Sequence, residues 1–310
     1  MEQTNSVRGI GLKLVSVVIF VAMVVLIKVL DGKIPPGEVV FFRSAFAVPV
    51  ILVWLGVTHS FATGLRTGNY LGHFWRGLAG TTAMGFGFAG LALLPLPEVT
   101  AIGYAAPLLT VVFAAMFLGE EVRAFRIVSV GLGMAGVLII LSPRLTALTE
   151  GAAGAAEALG AIVVLTGAVF AALAQVFVRK LVAVETTSAI VFYFSVNSAA
   201  LSLVTLPFGW VWPDWPTALL LVSCGLLGGV GQVFLTSAYR HADASVVAPF
   251  EYASMLLALV IGYFAFSEVP TPMVLLGAGL VTLAGFLIIW RERRLGLERA
   301  RQRQSMTPQG

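Results

Sequence analysis

The chain has 310 residues, 59% of them hydrophobic and only 11% charged, with a mean hydropathy of +0.97 and a formal net charge of +4. Soluble domains keep roughly a quarter of their residues charged, so a chain this apolar has no water-compatible surface and its exterior must meet lipid. A pI near 9.5 does not point to nucleic acid here, because the densest basic run, Arg291 through Arg303, directly follows an apolar stretch, as a cytoplasmic anchor beside anionic lipid does.

Apolar stretches of roughly 17–25 residues read as membrane-spanning helices. Ten are expected, at 10–30, 39–58, 74–94, 98–118, 125–142, 159–178, 188–208, 217–238, 244–266 and 271–290. The first does not read as a cleaved leader, because Val29-Leu-Asp-Gly-Lys-Ile-Pro-Pro36 follows it where a small-residue cleavage site belongs. Pro35-Pro36, Pro95 with Pro97, Pro213 with Pro216, and Pro270 with Pro272 punctuate the junctions on one side. On the opposite side lie Arg8, Lys13, Arg66, Arg76, Arg123, Arg126, Arg179, Lys180, Arg240 and the tail arginines, leaving only Lys28, Lys33, Arg43 and Arg144 of the nineteen basic residues elsewhere. Positive charge collects on the cytoplasmic side, so both termini are expected there, in a multi-pass protein of the bacterial inner membrane. The single Cys224 has no disulfide partner and reads as a buried structural thiol.

The chain repeats itself. At an offset of 148, Gly77-Leu-Ala-Gly80 meets Gly225-Leu-Leu-Gly228, Tyr104-Ala meets Tyr252-Ala, Glu120 meets Glu268, and Gly131-Leu meets Gly279-Leu. At 151, Val40-Phe-Phe-Arg-Ser44 meets Val191-Phe-Tyr-Phe-Ser195, and Lys28 meets Arg179. Each half holds five spans, an odd number, so the second enters the membrane upside down relative to the first. Such inverted repeats recur in secondary transporters, with the site between them near mid-membrane. The expected fold is all-α, ten transmembrane helices as two inverted five-helix halves. The first half covers 1–142, an extracytoplasmic Ala/Gly-rich linker 143–158, the second half 159–290, and a basic cytoplasmic tail 291–310.

Ionisable groups inside lipid are costly and point to function. Asp31, Asp214, Asp243, His59, His73 and His241 all fall at span ends, whereas Glu251 lies about 10 Å into the ninth span at 1.5 Å per residue, with Pro249 before it and Tyr252 after it. Glu251 suits binding a cationic group, carrying a proton, or pairing with an internal arginine. Arg43, one to two turns into the second span with Glu38 near the same entry, is its cationic counterpart, with snorkelling to the outer surface as the alternative. Snorkelling is the expectation for Lys28 and Arg179, and Arg76 reads as an anchor at its helix entry. Gln175, Asn197 and Gln232 suit lining a cavity or bonding across helices. Tyr104 and Tyr252 occupy equivalent places in the two halves, where aromatic packing and a central cavity are both open readings. Trp210, Trp212 and Trp215 suit an interfacial belt.

Together these residues resemble the drug/metabolite transporter superfamily, in its ten-helix form with two EamA-like halves. The resemblance is carried by Pro36-Gly-Glu-Val-Val-Phe-Phe-Arg43, Arg76-Gly77, Leu94-Pro-Leu-Pro-Glu-Val99, Pro107-Leu108 and Phe117-Leu-Gly-Glu120 in the first half. Asp243-Ala-Ser245, Ala248-Pro249, Tyr252 and Glu268 carry it in the second. It implies a bundle with a central cavity and alternating access. The stretches Glu38 to Arg43 and Ala248 to Tyr252 are similar to members that import S-adenosylmethionine, and the general layout is also similar to bacterial riboflavin carriers.

An enzyme is not expected. No paired aspartates lie within the spans, and there is no His-Glu-x-x-His, Gly-x-Ser-x-Gly or phosphate-cradling loop. No catalytic residue, metal site or cofactor is expected, and no nucleic-acid partner. The partners expected are a small-molecule substrate and the lipid bilayer. The function expected is secondary transport of a small vitamin- or cofactor-like metabolite. Export of amino acids or toxic organic compounds, and a structural or sensory role without transport, are the alternatives.

Overall fold

A computed structural model describes residues 6–30, 32–58, 61–118, 124–146, 152–182, 184–241 and 248–306. Asp31, His59, Glu120, Arg123 and Asp243 lie outside the described residues, as do the side chains of Arg126, Arg179 and Arg240.

The described residues are predominantly helical, with no strand among them. The first half comprises α1 (Ser6–Val29), α2 (Pro36–Ala45), α3 (Ala47–Val57), a short α4 (Phe61–Gly64), α5 (Tyr70–Leu93), α6 (Leu96–Gly103), α7 (Ala105–Leu118) and α8 (Ala124–Thr146). The second comprises α9 (Ala152–Val182), α10 (Thr187–Ser202) with a 3-10 extension Leu203–Phe208, α11 (Trp215–His241), a 3-10 turn Ala248–Tyr252, α12 (Ala253–Phe266) and α13 (Pro272–Met306). Among the described residues seven stretches are long and apolar enough to cross a membrane, and Phe250–Phe266 and Pro272–Ile288 are shorter apolar helices. With α5, whose 24 residues reach about 36 Å, they make ten. Helix α5 is rich in glycine and carries His73 and Arg76, which lowers its hydropathy.

Three of the expected spans are broken rather than straight. The second bends at Phe46 between α2 and α3, the fourth at Tyr104 between α6 and α7, and the ninth starts as a 3-10 turn before α12. Each break lies within three residues of a proline (Pro49, Pro107, Pro249), whose missing N–H leaves the carbonyl four residues earlier without its helical partner. Helices α8 and α9 enter the linker stretch from both ends, and α13 continues into the basic tail.

The packing obeys the repeat. A Cβ on Gly77 of α5 would lie 2.8 Å from Asn197 Cβ of α10, and one on Gly225 of α11 would run into Phe46 Cβ. Gly225 is the counterpart of Gly77, and Asn197 that of Phe46. One turn on, Gly80 abuts Phe194 and Gly228 abuts Arg43, again counterpart contacts. Small residues let these backbones approach closely in lipid.

Two contacts join a residue to its own counterpart. The Tyr104 and Tyr252 rings lie 5.1 Å apart, and the Arg43 guanidinium carbon lies 5.7 Å from the Phe194 centroid. A residue reaches its symmetry mate only beside the axis that relates them. For inverted repeats that axis lies in the membrane plane, so both pairs sit near mid-depth. Around the tyrosines runs a core of Ile102, Leu108, Val137, Ile140 and Val281; a second core, with Met23, Ile27, Leu221 and Cys224, joins α1 to α11. Large apolar side chains such as Phe264 and Trp212 face outward, as a lipid-immersed surface requires.

Candidate functional site

Arg43 projects from the end of α2 into the interface between the halves and is only 5% exposed. It does not snorkel. Its Nε is buried without a hydrogen-bond partner, and Gly228 of α11 leaves just enough room beside it. Glu38, one and a half turns earlier, does not pair with it: that buried carboxylate accepts from the Val211 amide at 3.0 Å.

Arg76 is not an interfacial anchor. Its guanidinium carbon sits 3.4 Å from the centroid of the Phe194 ring, which Arg43 also faces, and its Nε and Nη1 are buried without partners. The closeness depends on Gly80, whose missing side chain leaves space for Arg76 Nη1 and the ring. Two cations of the first half thus share one aromatic ring of the second. The arrangement is chemically one-sided, because the counterparts of Arg43 and Arg76 are Phe194 and the buried thiol Cys224.

The other carboxylates near the interface are engaged. Glu251 pairs with Lys13 of α1, not with an internal arginine; Lys13 is buried while Glu251 is half-exposed. Glu251 lines a cleft of about 170 Å³ together with Val17, Phe20, Val21, Thr100 and Ser254. Next to it, the Tyr104 hydroxyl lies 2.5 Å from Ser254 Oγ and 3.4 Å from the Glu251 carbonyl, while the Tyr252 hydroxyl fills the space left by Gly285. Toward the other end of α1, Lys28 does not snorkel: it donates to the carbonyls of Leu91 and Leu94 and pairs with Glu268 at 3.2 Å, and Glu268 accepts from the Leu96 amide. Glu98 is held by Arg144, which also pairs with Glu157. Glu185, in the turn before α10, accepts from Thr67 Oγ1 and the Gly68 amide and lies 3.9 Å from His73.

Of the remaining polar candidates, Asn197 donates to the His73 carbonyl at 3.1 Å and so bonds across helices. Gln232 is partly buried on α11, one turn beyond Gly228, and Gln175 is exposed on α9; neither hydrogen-bonds among the described residues. No cluster of metal-binding side chains occurs among the described residues. Sequence alone does not single out Lys13 or Phe194: Lys13 reads as one of the cytoplasmic charges, and the one clue to Phe194 is its repeat alignment with Arg43.

Comparison with known proteins follows the same lines. The profile of the EamA-like transporter family matches residues 7–142 and 158–290. The pseudopaline exporter of Pseudomonas aeruginosa is 30% identical over 282 residues, covering 89% of this chain and 94% of the exporter. The S-adenosylmethionine uptake transporter of Rickettsia felis is 29% identical over 286 residues, covering 92% and 94%. A solved crystal structure superposes with a TM-score of 0.63 at 20% identity, covering 90% of this chain and 96% of its own, which shows the shared fold. The chain is therefore a multi-pass membrane protein of the EamA-like transporter family, within the drug/metabolite transporter superfamily, and it transports a small metabolite rather than catalysing a reaction.

Proposed function

We propose that this protein is a secondary carrier of the bacterial inner membrane, with both termini cytoplasmic, that moves a cofactor-like metabolite by alternating access between its two halves. The observation that carries this reading is the pair of buried, unpartnered arginines beside the repeat axis, where transporters of inverted-repeat design hold their substrates. The inter-half ion pairs supply closures. Lys28–Glu268 ties the halves at one end of α1 and Lys13–Glu251 ties them at the other. Opening one side requires separating one pair, and a solute at the centre stabilises closure around itself.

S-adenosylmethionine is the first candidate substrate, supported by the similarity to uptake transporters named for it, and riboflavin is the second. Export is the competing direction, favoured by the similarity to the pseudopaline exporter. Counterflow in proteoliposomes tests the reading without assuming a direction or a coupling ion. Liposomes preloaded with unlabelled S-adenosylmethionine or riboflavin are diluted into the labelled compound. Saturable accumulation of either solute above protein-free liposomes is expected. Folded protein that accumulates neither discards both substrates, and flux that rises linearly without saturation overturns the carrier mechanism in favour of a pore.

A further inference from the structure

Resting on the carrier reading above, we infer that Arg43 and Arg76, with the Phe194 ring between the halves, form a subsite for the carboxylate of the transported solute, so that the substrate is an organic anion or zwitterion rather than a neutral ring system. Every described carboxylate close to the interface is already engaged. Glu38 holds the Val211 amide, Glu98 holds Arg144, Glu185 holds Thr67 and Gly68, Glu251 holds Lys13, and Glu268 holds Lys28. Neither Arg43 nor Arg76 forms an ion pair or hydrogen bond among the described residues; both face the Phe194 ring, with Arg43 packed beside Gly228 and Arg76 beside Gly80.

A buried charge without a counter-charge is costly, and two like charges facing one ring add repulsion. The ring offsets part of this by a cation–π contact with Arg76. It supplies no hydrogen-bond acceptor for the buried Nε and Nη1 donors. An anionic ligand supplies both the missing charge and the acceptors, and the planar guanidinium fork matches a carboxylate with two parallel hydrogen bonds. The place argues against a lipid headgroup as the source, because Arg43 faces its own repeat counterpart beside the repeat axis, which places it near mid-membrane.

The subsite is chemically one-sided: the second half offers Phe194 and Cys224 at the positions of Arg43 and Arg76. Both guanidiniums come from one half and the aromatic wall from the other, so closure of the halves shields a carboxylate held by the arginines from water and thereby strengthens its ion pairs. Of the two candidate solutes, S-adenosylmethionine bears a carboxylate and riboflavin none.

The test uses the purified full-length chain in detergent, followed by intrinsic tryptophan fluorescence during heating. Wild type, Arg43→Met and Arg76→Met are compared without solute, with S-adenosylmethionine, and with its decarboxylated analogue. S-adenosylmethionine is expected to raise the midpoint of wild type by several degrees, the decarboxylated analogue to raise it far less, and both variants to lose the response. Without solute, both variants are expected to unfold at or above the wild-type temperature, since each removes an unpaired buried charge. Variants that unfold several degrees below wild type without solute, or that keep the full response to S-adenosylmethionine, overturn the subsite. If wild type ignores S-adenosylmethionine, that substrate is discarded, and the solute-free comparison alone decides the subsite by the same criterion.

Discussion

Gly80→Ala offers a graded test of the central geometry. The added methyl would lie 2.5 Å from Arg76 Nη1 and 2.7 Å from Phe194 Cε2, so both groups must retreat by about 0.8 Å to reach ordinary contact. Overpacking of this kind costs about 1–3 kcal/mol, of which a helical alanine recovers up to about 1 kcal/mol over glycine. The protein should therefore fold with a modest loss of stability. The shared ring and guanidinium move out of register, and apparent solute affinity should fall by about tenfold, the equivalent of 1.4 kcal/mol. Gly228→Ala is milder, because its methyl would meet Arg43 Nε at 3.1 Å and the compliant Met23 sulfur at 3.2 Å; about a twofold loss is expected. Gly85→Ala, on the same helix as Gly80 with nothing within 4 Å, should leave transport unchanged and stabilise the protein by up to about 1 kcal/mol. Concentration-dependent counterflow and thermal unfolding of the three variants measure the series. Equal impairment of Gly85→Ala and Gly80→Ala would refute the reasoning.

Three further outcomes are expected. Glu251→Gln removes one carboxylate partner from the buried Lys13 ammonium and should cost about 1–2 kcal/mol, limited by the half-exposure of Glu251; Lys13→Met with Glu251→Gln, measured as a double-mutant cycle in thermal unfolding, gives the coupling between the two. Lys28→Met removes the Glu268 pair and two carbonyl contacts at one closure. A cysteine replacing Phe88, which lines the adjoining cleft, should then react several-fold faster with a membrane-impermeant maleimide, the native Cys224 staying silent because it is buried. Burial alone would raise the Glu185 pKa, but hydrogen bonds from Thr67 and Gly68 and the nearby His73 hold it below its usual value. Its stabilising contribution is therefore present above the ordinary glutamate range, near pH 4.3, and is lost as pH falls through the depressed value. Wild type should exceed Glu185→Gln in unfolding temperature at pH 6, and the two should converge only once the pH has fallen below that depressed value.

The spans were legible because lipid imposes long apolar stretches, and proline pairs marked their junctions. The repeat was legible from a few glycine, tyrosine and arginine positions, and in the structure its register makes one contact twice, Gly77 with Asn197 and Gly225 with Phe46. What the sequence did not reveal was the choice of partners. Glu251 finds Lys13 from 238 residues away, a pairing no local pattern encodes. Arg76 read as an anchor because its distance from the helix start says nothing about which face it occupies; Gly80, one turn on, was the overlooked sign that this face is crowded against α10. Lys28 likewise looked free to snorkel, while the carbonyls of Leu91 and Leu94 at the end of α5 were within its reach.

The most direct measurement is a cryo-electron-microscopy map of the protein in lipid nanodiscs with the solute that passes the counterflow test. Density for that solute between α2, α5 and α10, with an anionic group against both guanidiniums beside Phe194, is the predicted result. Solute density elsewhere, with Arg43 and Arg76 still facing Phe194 as they do without it, would contradict the proposal that the arginine pair receives the substrate.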